Sequence, residues 1–395
     1  MIVRKTTDAE AQRVNELFAI AFEMALTNCP ADPGNDRIHH WAAFTDDTMD
    51  MMSTFTISDY QIGFDSHSCK MGGIGGVATL PQYRRMGGIR KCFEKALPDM
   101  YENGYDFSYL YPFSTNYYRK FGYECCVQKY HATILLGLLN PVPVNGTFRM
   151  AESCCPMTEA IMAVDKVWES KYNMMVQHED DYYKWTKEVN PAVKQEFTYV
   201  YFSDEGKPLA YTTFRKVDQN DGRNLVCSRF CFLNKEGYMG LMHVFKSLAT
   251  DHMYAKFTIP SEASMQYLMP EWSLGAAQWS VQPAGMVRVV NVENALKKAA
   301  YIGTGTISIA VKDPQISQND HCFTVDFTDG KAVSVTVDQN QPDITLTIPT
   351  FSALISGVGI FTEAASWMNG IQIHNGSAPF SQVFYRKNLM ITDFF

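Results

Sequence analysis

The chain has 395 residues, 46% hydrophobic and 19% charged, with a formal net charge of −8. That length suits two or three domains; the composition excludes a disordered polymer, and the acidic balance argues against a nucleic-acid binder while suiting a cationic partner. No apolar run reaches the roughly 18 residues of a membrane span, and Met1-Ile-Val-Arg-Lys5 leads into polar, acid-containing sequence unlike a secretion signal, so a cytoplasmic place is expected.

The first predicted element is a strand at about Ile2–Arg4. Thr7 and Glu10 form a capping-box pair, and the helix that follows puts Val14, Leu17, Phe18, Ala21, Phe22 and Ala25 on one face. Asn28 to Asp36 breaks it, and a second helix is predicted near His39–Met51. His39 and His40 beside Trp41 could line a pocket; a surface or half-buried place is the plainer reading. Strands are predicted at Thr54–Phe64 and Cys69–Leu80 about a turn at Asp65–Ser68.

The most informative stretch comes next, Val77-Ala-Thr-Leu-Pro-Gln-Tyr-Arg-Arg-Met-Gly-Gly-Ile-Arg90. It reads as a strand, a turn and a helix from about Gly87 to Tyr101. A helix start aims free N–H groups and a positive dipole end at one spot, ready for a phosphate or pyrophosphate. Gly87 and Gly88 clear side chains away, and Arg84 and Arg85 add positive charge. The P-loop pattern fails for want of its Lys and hydroxyl, and the dinucleotide-binding glycine spacing fails as well. A strand at Tyr105–Tyr111 follows. Then come Phe113, a polar cap at Ser114 and a short helix ending at Gly122, within Tyr109-Leu-Tyr-Pro-Phe-Ser-Thr-Asn-Tyr-Tyr-Arg-Lys-Phe-Gly-Tyr123. A strand near Cys126–Leu136 closes the set.

The Arg84-x-x-Gly87 loop after Val-Ala-Thr, followed by Tyr118-Arg-Lys-Phe-Gly-Tyr123, resembles the GNAT N-acyltransferases, and the order β-α-α-β-β-α-β-α-β matches theirs. Adding Gly72-Gly-Ile-Gly-Gly-Val-Ala-Thr79, Val287-Arg-Val-Val-Asn-Val-Glu-Asn-Ala-Leu296 and the ending in Phe395, the whole chain is similar to the Eis family of acetyltransferases.

Asn140 to Gly146 is a plausible boundary. Beyond it, a helix at Glu159–Tyr172, strands at Phe197–Phe202, Pro208–Lys216 and Asn224–Leu233, and a helix at Gly237–His252 suggest a second, degenerate GNAT-like fold. Its helix start carries Glu236 where a pyrophosphate would sit, and repulsion there disfavours a second coenzyme site. From about Gly285 come a helix at Val292–Ala300, strands at Gly305–Lys312, His321–Thr328, Lys331–Val337 and Ile344–Pro349, and helices at Phe351–Gly357 and Phe361–Asn369. This part resembles a sterol-carrier-like domain, read as a scaffold rather than a lipid tunnel. The expected architecture is α/β (α+β), with tandem GNAT folds in 1–144 and 145–284 and the sterol-carrier-like domain in 285–395.

Ten cysteines form no Cys-x-x-Cys, and nine histidines show no zinc-like spacing, so free buried thiols and no metal are expected.

The resemblance implies transfer of an acetyl group from acetyl-CoA to a primary amine. Main-chain groups of Val77, Ala78 and Thr79 would pair with the pantetheine arm like an added strand. Arg84, Arg85, Met86, Gly87, Gly88, Ile89 and Arg90 would surround the pyrophosphate. Phe113 and Ser114, with Asn116 as an alternative, match the place that admits the thioester. Tyr118 matches the general acid. The resemblance gives the general-base role to the terminal carboxylate of Phe395, an intrinsically weak base with a pKa of roughly 3.3–3.7. Phe22, Glu23 and Trp41 lie near positions that touch cationic substrates in relatives. Relatives often carry acids where this chain has Met24 and Phe394, which points to a different acceptor or regiochemistry. The acceptor expected is aminoglycoside- or polyamine-like; a protein lysine is one alternative, and a non-catalytic acyl-CoA or lipid carrier another. The family further implies a hexamer.

Overall fold

The computed structural model describes residues 1–26, 35–139, 143–263, 275–338 and 341–394. In chain order the first part contains β1 (Ile2–Lys5), α1 (Ala11–Phe22), β2 (Ile38–Phe44), β3 (Met51–Phe64), β4 (His67–Thr79), α2 (Gly88–Glu102), β5 (Phe107–Leu110), α3 (Thr115–Arg119) and β6 (Glu124–Cys125). The middle contains β7 (Gln128–Leu135), β8 (Thr147–Met150), α4 (Thr158–Lys171), α5 (Pro191–Lys194), β9 (Glu196–Phe202), β10 (Pro208–Gln219), β11 (Gly222–Phe232), α6 (Lys235–Ser247), β12 (Tyr254–Ile259) and β13 (Ala277–Pro283). The last part contains β14 (Met286–Val289), α7 (Val292–Lys298), β15 (Gly305–Lys312), β16 (Cys322–Thr328), β17 (Lys331–Asp338), β18 (Ile344–Thr347), α8 (Ile348–Ser356), α9 (Phe361–Trp367), β19 (Ile371–Ile373) and α10 (Phe380–Val383).

Packing divides the chain into two compact units. One is Met1–Val127 with Asn173–Val176 and Ala284–Phe395; the other is Gln128–Tyr172 with Gln177–Pro283.

In the first unit a seven-stranded sheet runs β1-β2-β3-β4-β5-β14-β6. Strand alternation sorts β2 cleanly. Trp41 and Ala43 enter the core under α2, with Phe55, Ile57 and Phe93. Ala42 and Phe44 enter the core under α1, with Val14, Leu17 and Phe18. Because β2 is covered on both faces, it lacks the polar alternation of a one-sided strand. This is why residues 39–51, predicted as a helix, form a strand and a turn. On α2 the buried residues Ile89, Cys92, Phe93, Ala96, Leu97 and Met100 recur at helical spacing. Full burial of each larger apolar side chain is worth about 1.5–3 kcal/mol.

The predicted strand near Cys126–Leu136 is corrected too. Residues 128–135 pair with β12 and β13 in the second unit's sheet. The place beside β5 is taken by β14, from more than 150 residues downstream, with Met286 opposite Leu110 and Val289 opposite Phe107. Apolar periodicity marks a strand and carries no address for its sheet.

The C-terminal strands form a five-stranded sheet, β17-β16-β15-β18-β19. Its core is continuous with that of the first sheet, since Val287 and Val289 pack with Ile307, Phe323, Phe351 and Leu354. Helix α8 buries every residue except Pro349, and its two buried serines are satisfied within the helix, Ser352 Oγ donating to Ile348 O at 2.7 Å and Ser356 Oγ to Ser352 O at 2.6 Å.

The second unit has its own seven-stranded sheet, β13-β7-β12-β11-β10-β9-β8. At the start of α6, Asn234 accepts the Gly237 N–H at 2.9 Å, and Glu236 lies in the first turn. Gly237 and Gly240 serve packing there, because a Cβ at 240 would lie 2.3 Å from the Tyr201 ring.

The described cysteines are free. Cys69, Cys92, Cys126 and Cys231 are buried, whereas Cys154 and Cys155 are exposed rather than buried as expected. Among the described residues no helix is long and apolar enough to cross a membrane.

Candidate active site

Strands β4 and β5 run parallel, but only from Met71–Phe107 to Ile74–Leu110. Strand β5 ends there, while β4 continues to Thr79, held on its other side by Ala78 opposite Thr54 and Thr79 opposite Ser53. A bulge interrupts that ladder between Thr54 and Thr56. Gly76 sits at the bulge with φ 58°, and a Cβ on it would lie 1.8 Å from the Phe18 ring. Only glycine lets α1 approach so closely. The stretch Val77–Thr79 thus has a strand partner on one side and none of β5 on the other.

Beyond β4 the chain turns through Arg85, φ 66°, and Gly87, φ 83°, into α2. The first intrahelical bond here is Lys91 N–H to Gly87 O at 3.0 Å, so the amides of Gly88, Ile89 and Arg90 lie ahead of the ladder. No side chain caps this end and no acid occupies the first turn. Gly88 is fixed by packing, as a Cβ there would meet Ser53 Oγ at 2.5 Å. Arg84, Arg85, Met86 and Arg90 are exposed around the turn, with Arg90 Nε 3.8 Å from Glu94. The residues present therefore fit a diphosphate: bare amides, a dipole end, nearby cations and no Cβ at Gly87.

Past β5, the Ser114 carbonyl receives the Tyr117 and Tyr118 N–H groups at 3.2 and 3.4 Å and starts α3; its hydroxyl makes no capping bond, unlike the predicted polar cap. Asn116 accepts from Arg119 at 3.1 Å. Phe113 is 73% exposed, whereas Tyr118 is only 2% exposed. The Tyr118 ring packs edge-on against Phe93, Phe113, Tyr117 and Tyr123. Burial first, then Tyr117 and Tyr123, push its hydroxyl above the ordinary tyrosine value. Tyr123, by contrast, has its hydroxyl 2.7 Å from Ser108 Oγ.

The expected acceptor residues do not converge. Phe22 is 52% exposed at the end of α1, and Glu23 caps that helix in a left-handed conformation, φ 52°. Trp41 is a core residue on the opposite, α2 face of the sheet rather than a wall of an open cleft. Phe395 lies outside the described residues. The segment before it is docked: Ile391 is buried, Tyr111 Oη donates to the Asp393 carbonyl at 2.7 Å, and the Phe394 ring stacks on Tyr111 at 4.6 Å.

Sequence reasoning passed over Tyr111, whose only signal is its place two residues before Phe113. His40 is half-buried, as the plainer reading of the sequence expected. That imidazole faces Phe18 on the α1 side and lies 2.9 Å from Thr56 Oγ1, where β3 borders the bulge. Among the described residues no group of three His, Cys, Asp or Glu side chains could hold a metal ion.

Residues 2–126 match the acetyltransferase (GNAT) domain family, and residues 292–387 match the sterol carrier protein domain. The N-terminal domain is a GNAT acetyltransferase domain. The GNAT fold and the sterol carrier domain together have an Eis-like arrangement, and the chain is a GNAT-type N-acyltransferase. A probable N-acyltransferase from Enterococcus faecalis V583 is similar over 100% of this chain and 99% of its own, with 22% identity and a TM-score of 0.85. A GCN5-related N-acetyltransferase from Anabaena variabilis is 18% identical over the full length of both chains, with a TM-score of 0.82. Eis1 from Mycobacterium abscessus is 16% identical, again over both full lengths, with a TM-score of 0.80. No curated protein sequence matches the chain.

Proposed function

We propose that the chain transfers the acetyl group of acetyl-CoA to a primary amine of a cationic small molecule, aminoglycoside- or polyamine-like. The observation that carries this reading is the uncapped start of α2 at the end of a strand that outruns its neighbour. Acetyl-CoA would supply the acyl group as an activated thioester. The amides of Gly88, Ile89 and Arg90 would hold its diphosphate. Main-chain groups of Val77–Thr79 would pair with its amide-bearing arm. The amine nitrogen would attack the thioester carbonyl as the C–S bond breaks, and Tyr118 would pass its proton to the departing thiolate.

A lysine-like ammonium is neutral in only about one molecule in a thousand at pH 7, so an acceptor for its proton is needed. The terminal carboxylate of Phe395 takes that role in this reading. It is supported by the docking of residues 391–394 beside Tyr111. The net charge of −8 suits a cationic acceptor.

The test is thiol release from acetyl-CoA with a panel of polyamines, aminoglycosides and lysine peptides, using the full chain and a chain lacking Phe395. Turnover with small polyamines or aminoglycosides, reduced by the deletion, is expected. Tight acetyl-CoA binding without turnover of any amine would leave a non-catalytic carrier instead.

A further inference from the structure

The helix that carries Tyr118 is five residues long, far below the length at which a helix holds itself together in water. Something else must fix it. Three residues past its end is Gly122, φ 87°, and directly beneath that turn lies Arg288 of β14: a Cβ at 122 would sit 1.6 Å from the guanidinium Nη1. Arg288 is fully buried and pairs with the equally buried Asp313, Nη2 lying 2.9 and 2.8 Å from its two oxygens. Arg288 Nε and Nη1 have no hydrogen-bond partner among the described residues, so Asp313 supplies the compensation for this charge.

Asp313 belongs to the sterol carrier domain, where it follows β15 and organises the next turn. Its carboxylate accepts the N–H groups of Gln315 and Ile316 at 3.0 and 3.3 Å and the Asn319 amide at 2.9 Å. Asn319 also donates to Val290 O at 2.9 Å, just beyond β14. From this turn Ile316 enters the core that contains Tyr118, Phe93 and Phe121. Gln315 donates through Nε2 to Lys120 O at 2.9 Å, one residue past α3.

A buried ion pair is poor evidence for stability, since an apolar pair of the same volume packs as well or better. What it provides is a single geometry. Here that geometry joins the turn after β15, the strand β14 and the end of α3. We propose that residues 313–319 of the sterol carrier domain brace α3 and set the Tyr118 hydroxyl, with Arg288, Asp313 and Gln315 as positioning residues for acyl transfer. The proposal rests on Tyr118 being the general acid.

A double-mutant cycle tests it. Gln315→Ala removes one half-buried clasp and should leave the fold intact. It should lower kcat by about three- to tenfold, while KM for acetyl-CoA, bound at α2, stays within about twofold. In a Tyr118→Phe background the same substitution should cost nothing further, because no hydroxyl remains to be placed. Asp313→Asn should show the same kcat-only loss, larger, if it folds; Gln315→Ala decides the matter if it does not. Full kcat in Gln315→Ala, or an equal proportional loss in both backgrounds, overturns the brace alone. A normal rate for Tyr118→Phe by itself overturns the acid assignment and the brace with it.

Discussion

Tyr118 is one of the buried members of an aromatic cluster, and its hydroxyl is the proposed general acid. Its raised pKa follows from burial. The phenol therefore stays protonated well past the ordinary value of about 10, and the pH–rate profile should show no falling limb from it near neutrality. Tyr118→Phe should keep the packing and reduce kcat by about 10²-fold, measured by thiol release at saturating acetyl-CoA. His40 offers a stability signal at the same scale. Burial first, then the charge of His39, lower its pKa from 6.5 to about 4. Between those values the unfolded chain holds a proton that the folded chain refuses. Stability should thus be unaffected by this group above pH 6.5, fall as the pH drops toward 4, and level off below. Urea midpoints at pH 7, 5.5 and 4.5 should show a shallower decline for His40→Gln. The turn before α2 could be read from sequence because its glycines and arginines stand at fixed, short spacing. Trp41 could not: an indole suits a cleft wall and a core equally well, and only the α2 packing chose between them.

Helix α2 begins within one residue of its predicted start, because a positive-φ glycine and a run of apolar residues at helical spacing are local signals. A local change should also undo its proposed role. At φ 83° any side chain is strained, by about 1–3 kcal/mol, though Asp tolerates the left-handed region better than most. Gly87→Asp should therefore lower thermal stability modestly, while its carboxylate repels the diphosphate. Calorimetry should find acetyl-CoA affinity reduced at least about tenfold, with the loss shrinking in high salt. Strand β4 was legible in extent but not in its bulge, since Gly76 is demanded by Phe18, nearly sixty residues earlier in the chain.

For the first unit as a whole, one clip stands out. The β3–β4 turn places Asp65, φ 47°, so that its carboxylate accepts the Ala300 N–H at 2.8 Å and pairs with Lys387 from near the chain end. Both side chains are nearly inaccessible, and Lys387 also donates to Ile355 O at 3.1 Å. Asp65→Ala should cost about 3–5 kcal/mol by urea denaturation, because an ammonium is left buried without its partner. Adding Lys387→Met should recover part of that loss. Nothing around Asp65 in the sequence reports this role beyond a turn between two strands.

Most element limits and the turn that starts α2 are written in short-range patterns, because caps, turns and apolar periodicity depend on neighbours a few residues away. The insertion of β14 beside β5, the burial of Trp41, the docking of the tail on Tyr111 and the pairing of Arg288 with Asp313 depend on contacts across 25 to 282 residues. Those were decided only when the sheets closed, since the free energy of such contacts exists only in the assembled core.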